Sequence, residues 1–273
     1  MGGPGSGRVQ VVVARPYDGL AAAWGTAAGL VYEPLAYSLV RASPVALAGK
    51  FVLDLGSGTG AVAQAVAASG ARAVVADSSL GMAVHLHEHR WTALVADAMA
   101  LPFRDGAFDA AVAGFLLNHV APAGALAEMG RVVRAGGAVV ASTWAVERSD
   151  PVKAAISDVL TSWGWRPPAW YEAMKADVEP ISGDPCRLVD ATEQAGLVEV
   201  HARVVDEDLG VDDPGAVVAY RLAMPHIAPW VTGLGEPAHS ELAQVLRIAV
   251  APHVPGWRPS VIQLTARVPT HPR

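Results

Sequence analysis

The sequence predicts an α/β fold: an open, mostly parallel seven-stranded sheet with helices on both faces, an N-terminal helical lid and helical insertions in the C-terminal half. Three observations predict it. Val52-Leu53-Asp54-Leu55-Gly56-Ser57-Gly58-Thr59-Gly60 reads as a strand, a glycine turn and a helix start. Short apolar runs then alternate with helical periodicities as far as Thr143, at the spacing of right-handed β-α-β crossovers. Asp54, Asp77, Asp97 and the segment Phe115–His119 all follow strand ends on one edge, where such sheets bind ligands.

The elements follow in chain order. From Val9 to Ser43 the pattern is that of a helical pair, with Tyr17, Leu20, Trp24, Ala27 and Ala28 at helical spacing and Tyr32, Leu35, Leu39 and Val40 repeating it. Tyr17, Trp24 and Tyr32 either pack the core or close over a ligand as a lid. After the strand Phe51–Leu55 and the glycine turn come a helix at Ala61–Ser69, a strand at Ala73–Ala76 ended by Asp77, and a helix holding Met82 to Arg90, capped by Ser78 or Ser79. Ala93–Ala96, ended by Asp97, is a third strand, Phe108–Gly114 a fourth, and Ala125–Val133 a helix that Gly136-Gly137 break ahead of the strand Ala138–Thr143.

Beyond Trp144 the alternation stops. Short helices are predicted at 151–163, 168–176, 185–195, 213–224 and 240–251, with strands at 197–205 and 261–268. Residues 9–273 read as one domain, preceded by a glycine-rich tail over 1–8 expected to be disordered. Within it, 9–49 are N-terminal helices, 50–144 a cofactor-binding core, and 145–185 with 206–258 insertions that cover the substrate.

A 52% hydrophobic and 17% charged composition over 273 residues describes a globular chain. A net charge of −6 without a Lys or Arg run argues against nucleic acid. Cys186 is the only cysteine, so disulfides and thiolate metal sites are not expected. No apolar run is long enough to span a membrane, and the N-terminus lacks the order of a signal peptide, so a cytoplasmic monomer or homodimer is expected.

The glycine loop alone leaves its ligand open. Gly56, Gly58 and Ala61 fit the dinucleotide fingerprint with Asp77 in the ribose position, while Gly56, Gly58 and Gly60 fit G-x-G-x-G equally well. Four motifs in order decide it: Leu53–Gly60; Asp77-Ser78-Ser79 with Met82; Asp97-Ala98-Met99-Ala100-Leu101-Pro102-Phe103 with Phe108-Asp109; and Arg131–Gly137. Together they resemble the class I S-adenosylmethionine (SAM)-dependent methyltransferases, nearest the ubiquinone, menaquinone and natural-product branch.

The resemblance implies a Rossmann-like fold, SAM as cofactor and a small-molecule acceptor. It implies that backbone at Gly56 and Gly58, with Ser57 and Gly60, cradles the methionine part. Asp77, beside Ser78, takes the ribose hydroxyls, while Asp97 takes the adenine amino group and Ala98 or Met99 offers a backbone N–H. Met82 packs on adenine, the Phe115 carbonyl meets the ammonium, and Asp54 supports that ammonium electrostatically. Tyr17 and Trp24 are the expected lid contacts. Read as structure alone, Asp77 and Asp97 are caps and Met82 is core.

For transfer to oxygen or nitrogen a base is needed. His119, directly after the fourth strand, is the first candidate, and His226 in the insertions the second. His85, His87 and His89 share a helical stretch without a carboxylate pair, so no metal is expected. The function expected is SAM-dependent methylation of a small, fairly apolar acceptor, O-methylation first, in secondary metabolism. The alternatives are a methyltransferase fold recruited for other chemistry, such as a cyclisation, and a SAM-binding module without turnover.

Overall fold

In a computed structural model the described residues are Tyr17, 21–146 and 150–270. The tail expected over 1–8 and the start of the N-terminal helical pattern lie outside them. The elements run α1 Ala21–Arg41, β1 Phe51–Leu55, α2 Ala61–Ala68, β2 Arg72–Asp77, α3 Leu80–Glu88, β3 Ala93–Val95, β4 Phe108–Gly114, α4 Pro122–Val132, β5 Val133–Trp144, α5 Pro151–Ser162, α6 Ala169–Asp177, α7 Glu179–Ser182, α8 Pro185–Gln194, β6 Val198–Asp206, α9 Pro214–Leu222, α10 Ala228–Leu234, α11 Ala238–Val250 and β7 Ser260–Arg267. The strands form one sheet in the order β3-β2-β1-β4-β5-β7-β6, parallel through β5 and antiparallel at β7 and β6.

The central strands are buried on both faces, as parallel strands under helices must be, so they read as continuous apolar runs. Their side chains still alternate. Leu53, Ala111 and Ala113 pack with Leu126 and Met129 of α4 and Leu188 of α8, whereas Val52, Ala110 and Val112 pack with Val62 and Val66 of α2 and Leu39 of α1. Asp109 fastens the bottom of the sheet by accepting the Phe51 N–H (2.8 Å) and pairing with Arg134 (2.6 Å). A third cluster joins α1 to the insertions: Trp24, Val31 and Leu35 meet Ile156 and Leu160 of α5, Val217 of α9 and Leu246 of α11. Asp-Pro steps start three of these helices. Asp150, Asp184 and Asp213 each accept a first-turn N–H, with proline at the position that needs no donor.

Three expectations need correction. The described part of the N-terminal pattern is one continuous helix with Pro34 inside it, not a helical pair. β5 starts at Val133, directly after α4, and passes Gly136-Gly137 as an irregularity in its pairing with β4, so the glycines loop within a strand instead of ending a helix. β3 stops at Val95, and Asp97 sits two residues beyond it in an isolated bridge to Ala100. The short helices α7 and α10 were not anticipated; neither is long enough to show a periodic apolar face.

Candidate cofactor and acceptor cleft

A cleft of about 1660 Å³ opens beyond the carboxyl ends of β1, β2 and β4. Single-ligand pockets run to about 1,000 Å³, so there is room for a cofactor and an acceptor together. One wall is the turn after β1. Gly56 and Gly58 have φ of 70° and 54°, the left-handed region that glycine enters without a Cβ penalty. A Cβ on Gly56 would come within 3.0 Å of Leu116, whereas a Cβ on Gly58 would meet no atom within 4 Å and would stand in the cleft. Ser57 ties this turn to β2: its hydroxyl donates to the Asp54 carbonyl (2.8 Å) and accepts the Ala76 N–H (3.1 Å).

Asp77 bridges two turns. Oδ2 accepts the Gly58 N–H and Oδ1 the Ser79 N–H, each at 2.9 Å. Ser79 in turn caps α3 by accepting the Met82 N–H (3.3 Å). Ser78 borders the cleft, as does Met82, whose side chain also belongs to the core around Trp24. The cap and core readings of Asp77 and Met82 therefore coexist with cleft-lining positions. Asp97 is exposed, and its Oδ1 accepts the Met99 N–H (2.9 Å), which places Asp97, Ala98 and Met99 along the rim. The adjoining Leu101–Phe103 loop is clamped from α4. Glu128 accepts the Leu101 N–H (2.7 Å), and Arg131, paired with Glu128, donates to the carbonyls of Leu101 (2.9 Å) and Phe103 (2.8 Å).

Asp54 is fully buried behind the glycine turn, and neither carboxylate oxygen has a hydrogen-bond partner of good geometry. Burial pushes its pKa up to about 8, against a smaller lowering from the nearby Ser57 hydroxyl and Ala63 amide. A buried carboxyl without a partner fits a site that takes a cation, the character of the ammonium that the resemblance implies.

The opposite wall is aromatic. Phe115 has φ 60°, unusual for a bulky residue, and its N–H donates to the Ser142 carbonyl (2.9 Å). This turns the chain off β4 into the 3₁₀ turn Leu116–Asn118, which brings His119 onto the cleft. The Phe115 ring lies 4.4 Å from Trp144 and 5.1 Å from Tyr32 between centroids. The His119 ring meets Tyr17 edge-on, with the Tyr17 hydroxyl 3.2 Å from Nε2. Desolvation lowers its pKa to about 4, so it is neutral at pH 7. Trp24 packs edge-on against Tyr17 at 5.6 Å.

Thirteen of the expected site residues thus meet in one cleft: Tyr17, Trp24, Gly56, Ser57, Gly58, Asp77, Ser78, Met82, Asp97, Ala98, Met99, Phe115 and His119. Asp54, Gly60 and His226 are not on its lining. Gly60 precedes α2 in the left-handed conformation (φ 96°). His226 stacks on Tyr171 at 3.9 Å and 8°, and desolvation first, then nearby positive charges, lower its pKa to about 3. Sequence reasoning did not assign the rim formed by Val120–Ala123 and by Asp177, Val178 and Ile181. The second group falls at the α6–α7 junction, inside the 145–185 segment expected to cover the substrate but with none of its residues singled out. His85 and His89 lie 4.3 Å apart between ring centroids, and among the described residues no three His, Cys, Asp or Glu side chains are grouped to hold a metal. No described helix is long and apolar enough to cross a membrane.

The sheet, with its glycine turn and carboxyl-edge cleft, defines a ligand-binding domain of the open α/β class. Residues 53–141 match the family described as a methyltransferase domain. The chain is 40% identical over 116 residues to a demethylmenaquinone methyltransferase of Mycobacterium marinum, covering 42% of this chain and 48% of that one. It is 41% identical over 143 residues to the enzyme of the same name from Mycolicibacterium gilvum, covering 52% and 58%. The matched segments thus span about half the length of these curated relatives. A protein solved in complex with the Haloferax volcanii Trm112 methyltransferase activator shares the fold with a TM-score of 0.58 at 20% identity over 94% of this chain and 98% of that one. Residues 53–141 therefore carry a methyltransferase domain of the SAM-dependent kind.

Proposed function

We propose that the chain transfers the methyl group of SAM to a small, fairly apolar acceptor, an oxygen nucleophile favoured, in secondary metabolism. The observation that carries this reading is the two-sided cleft. A glycine turn with Asp77 and Asp97 forms one wall, and an aromatic wall bearing His119 forms the other. When bound, SAM supplies an electrophilic methyl group. Gly56, Ser57 and Gly58 hold its methionine end, with Gly60 setting the turn and Asp54 balancing the ammonium from behind. Asp77, with Ser78 beside it, orients the ribose. Asp97, Ala98, Met99 and Met82 hold the adenine, and the Phe115 carbonyl faces the ammonium. Tyr17 and Trp24 exclude water, which strengthens every polar contact inside.

His119, neutral at pH 7, takes the acceptor's proton on a ring nitrogen. The demethylmenaquinone activity named for the relatives supports a small organic acceptor. The setting is cytoplasmic, as a monomer or homodimer, without nucleic acid or membrane.

Calorimetry with SAM and S-adenosylhomocysteine tests the reading. Binding at micromolar concentration is expected, weakened about tenfold or more in Asp77→Ala by the loss of a charged acceptor. No binding would sink the reading. Methyl transfer to a panel of phenols and carboxylic acids is then expected; binding without transfer to any of them favours a module without turnover.

A further inference from the structure

Ser142 brings a hydroxyl to a part of the cleft that is otherwise apolar. Ala138 and Val140 of β5 face the side of the sheet covered by α1 and α2, and Ser142, two residues on, shares that face. Gln263, opposite Ser142 on β7, donates from the same face to Ser38 of α1 (2.8 Å). On its other side Ser142 pairs with Gly114 of β4, and its carbonyl accepts the Phe115 N–H (2.9 Å). Ser142 lines the cleft although it is 2% exposed, and its Oγ has no hydrogen-bond partner among the described residues. Of the described buried polar side chains left without a partner, it is the one on the cleft lining. A hydroxyl sealed among carbon atoms in this way costs stability.

The surroundings of this hydroxyl are set by α1, α2 and the aromatic wall. Tyr32, Ala36 and Leu39 bring one face of α1 to the cleft lining. Val62 of α2 packs with Ala36 and Leu39, and it would lie 2.8 Å from a Cβ on Gly114, so it closes over the strand beside Ser142. The Tyr32 ring stands 5.1 Å from Phe115 and 6.1 Å from Trp144 between centroids, and its hydroxyl is hydrogen-bonded to Tyr220. The charged groups of the lining belong to other elements: Asp77 ends β2, Asp97 follows β3 and Asp177 ends α6. β4 separates β5 from β1, so Ser142 stands two strand spacings, about 10 Å, from the strand that leads into the glycine turn. It lies on the acceptor side of Phe115.

We propose that Ser142 is a specificity-determining residue, and that its hydroxyl donates to a neutral carbonyl oxygen of the acceptor other than the atom that is methylated. A hydroxyl is the one side-chain group here that can both give and take a hydrogen bond, and a carbonyl needs a donor alone. A carboxylate or an ammonium at the same place would be buried among carbon atoms with no opposite charge on this part of the lining, so a neutral group is the class that fits. The inference rests on the methyltransferase reading and deepens it by naming a second polar feature of the acceptor.

The test is calorimetry on the full chain saturated with S-adenosylhomocysteine, titrated with 4-hydroxyacetophenone, 4-ethylphenol and 4-hydroxybenzoate. The first two share a phenol and nearly the same shape and differ by one carbonyl oxygen, while the third carries a carboxylate in its place. Wild type is expected to bind the ketone about three- to tenfold more tightly than the ethyl compound, the scale of one net hydrogen bond, and the carboxylate more weakly than the ketone. Ser142→Ala should reduce the ketone preference to about twofold or less with affinity for S-adenosylhomocysteine unchanged. Its Tm should equal or exceed that of wild type, because the hydroxyl makes no internal hydrogen bond that could be lost. A purely structural hydroxyl would do the reverse, lowering Tm and leaving the preference in place. Equal affinity for ketone and ethyl compound in wild type, no binding of either at millimolar concentration, tightest binding of the carboxylate, or a preference kept in Ser142→Ala overturns the proposal. So does a loss of S-adenosylhomocysteine affinity in that variant, which assigns the hydroxyl to the cofactor. Failure of S-adenosylhomocysteine to bind wild type strikes the methyltransferase reading instead.

Discussion

The Tyr17 hydroxyl stands 3.2 Å from Nε2 of His119, joining a residue ahead of α1 to the turn that leaves β4, 102 residues later. The lid and the candidate base are therefore one unit. A His119→Ala variant is expected to lose about 100-fold or more in turnover, the range of a positioned general base, with SAM affinity within about twofold of wild type. Tyr17→Phe keeps the edge-on ring packing and removes only the hydroxyl, so a smaller loss, roughly 3- to 10-fold, is expected. Because burial holds His119 near 4, kcat/KM should stay flat from pH 7, below the titration of Asp54, down to about 5. Steady-state kinetics on the variants and across pH decide it; a fall centred near 6.5 means that the working base is a solvated group.

The same histidine couples folding to acid. His119 and His226 have folded pKa values of about 4 and about 3, below the ordinary histidine value of 6.5. Between those limits the unfolded chain binds protons that the folded chain does not. Their contribution to stability is thus full above pH 6.5 and is lost as pH falls toward 4. Thermal melts between pH 7 and 4.5 should show Tm falling more steeply in wild type than in His119→Gln or His226→Gln. Parallel curves would place both rings in water.

Asp54 acts in the opposite sense. Its folded pKa of about 8 lies above its ordinary 3.8, so the folded chain holds a proton that the unfolded chain has released. That contribution is full below pH 3.8 and is lost as pH rises through 8. Asp54→Asn removes the titration, and its Tm should hold up better than wild type as pH rises from 5 to 8. If the carboxylate serves the ammonium of SAM, the same variant also binds SAM more weakly. An identical pH slope in the two proteins would mean that Asp54 is charged throughout.

The alternating core was legible because strand and helix there obey local periodicity, and the aspartates at strand ends needed only the parallel topology to meet. What was illegible had nonlocal causes. β5 could not be read through Gly136-Gly137, because glycines in sequence look alike whether they end a helix or loop inside a strand; pairing with β4 decides it. His226 was chosen for its chemistry, but stacking on Tyr171, 55 residues away in sequence, keeps it off the cleft lining.

The Glu128–Arg131 pair is expected to matter to the cofactor site without touching it. Arg131 holds Glu128 at 2.7 Å, Asp105 at 2.8 Å and two carbonyls of the Leu101–Phe103 loop, so Arg131→Met removes several charge-assisted bonds at once. The pair is partly exposed, which limits the cost to about 1–3 kcal/mol. For a chain of this size that is roughly 2–10 °C in Tm. Affinity for S-adenosylhomocysteine should fall severalfold, because the loop follows Asp97. Calorimetry and melting on one preparation separate the two effects, and a stability loss with unaltered affinity would detach the loop from the site.

Gly58 offers the sharpest test of where the cofactor lies. Its φ of 54° costs a residue bearing a Cβ about 1–2 kcal/mol, so Gly58→Ala should fold with Tm lowered by a few degrees. The added methyl group meets no protein atom within 4 Å, and the amide still reaches Asp77, so the site stays otherwise intact. A ligand pressed against this backbone must nevertheless give way to the methyl, and affinity for S-adenosylhomocysteine should fall about tenfold or more, as packing against a forced contact costs 1–3 kcal/mol. Gly56→Ala is the control. Its methyl group meets Leu116 at 3.0 Å, so stability suffers as well as binding. If Gly58→Ala binds as tightly as wild type while Gly56→Ala is destabilised, the turn is built for packing, and the cofactor does not rest on it.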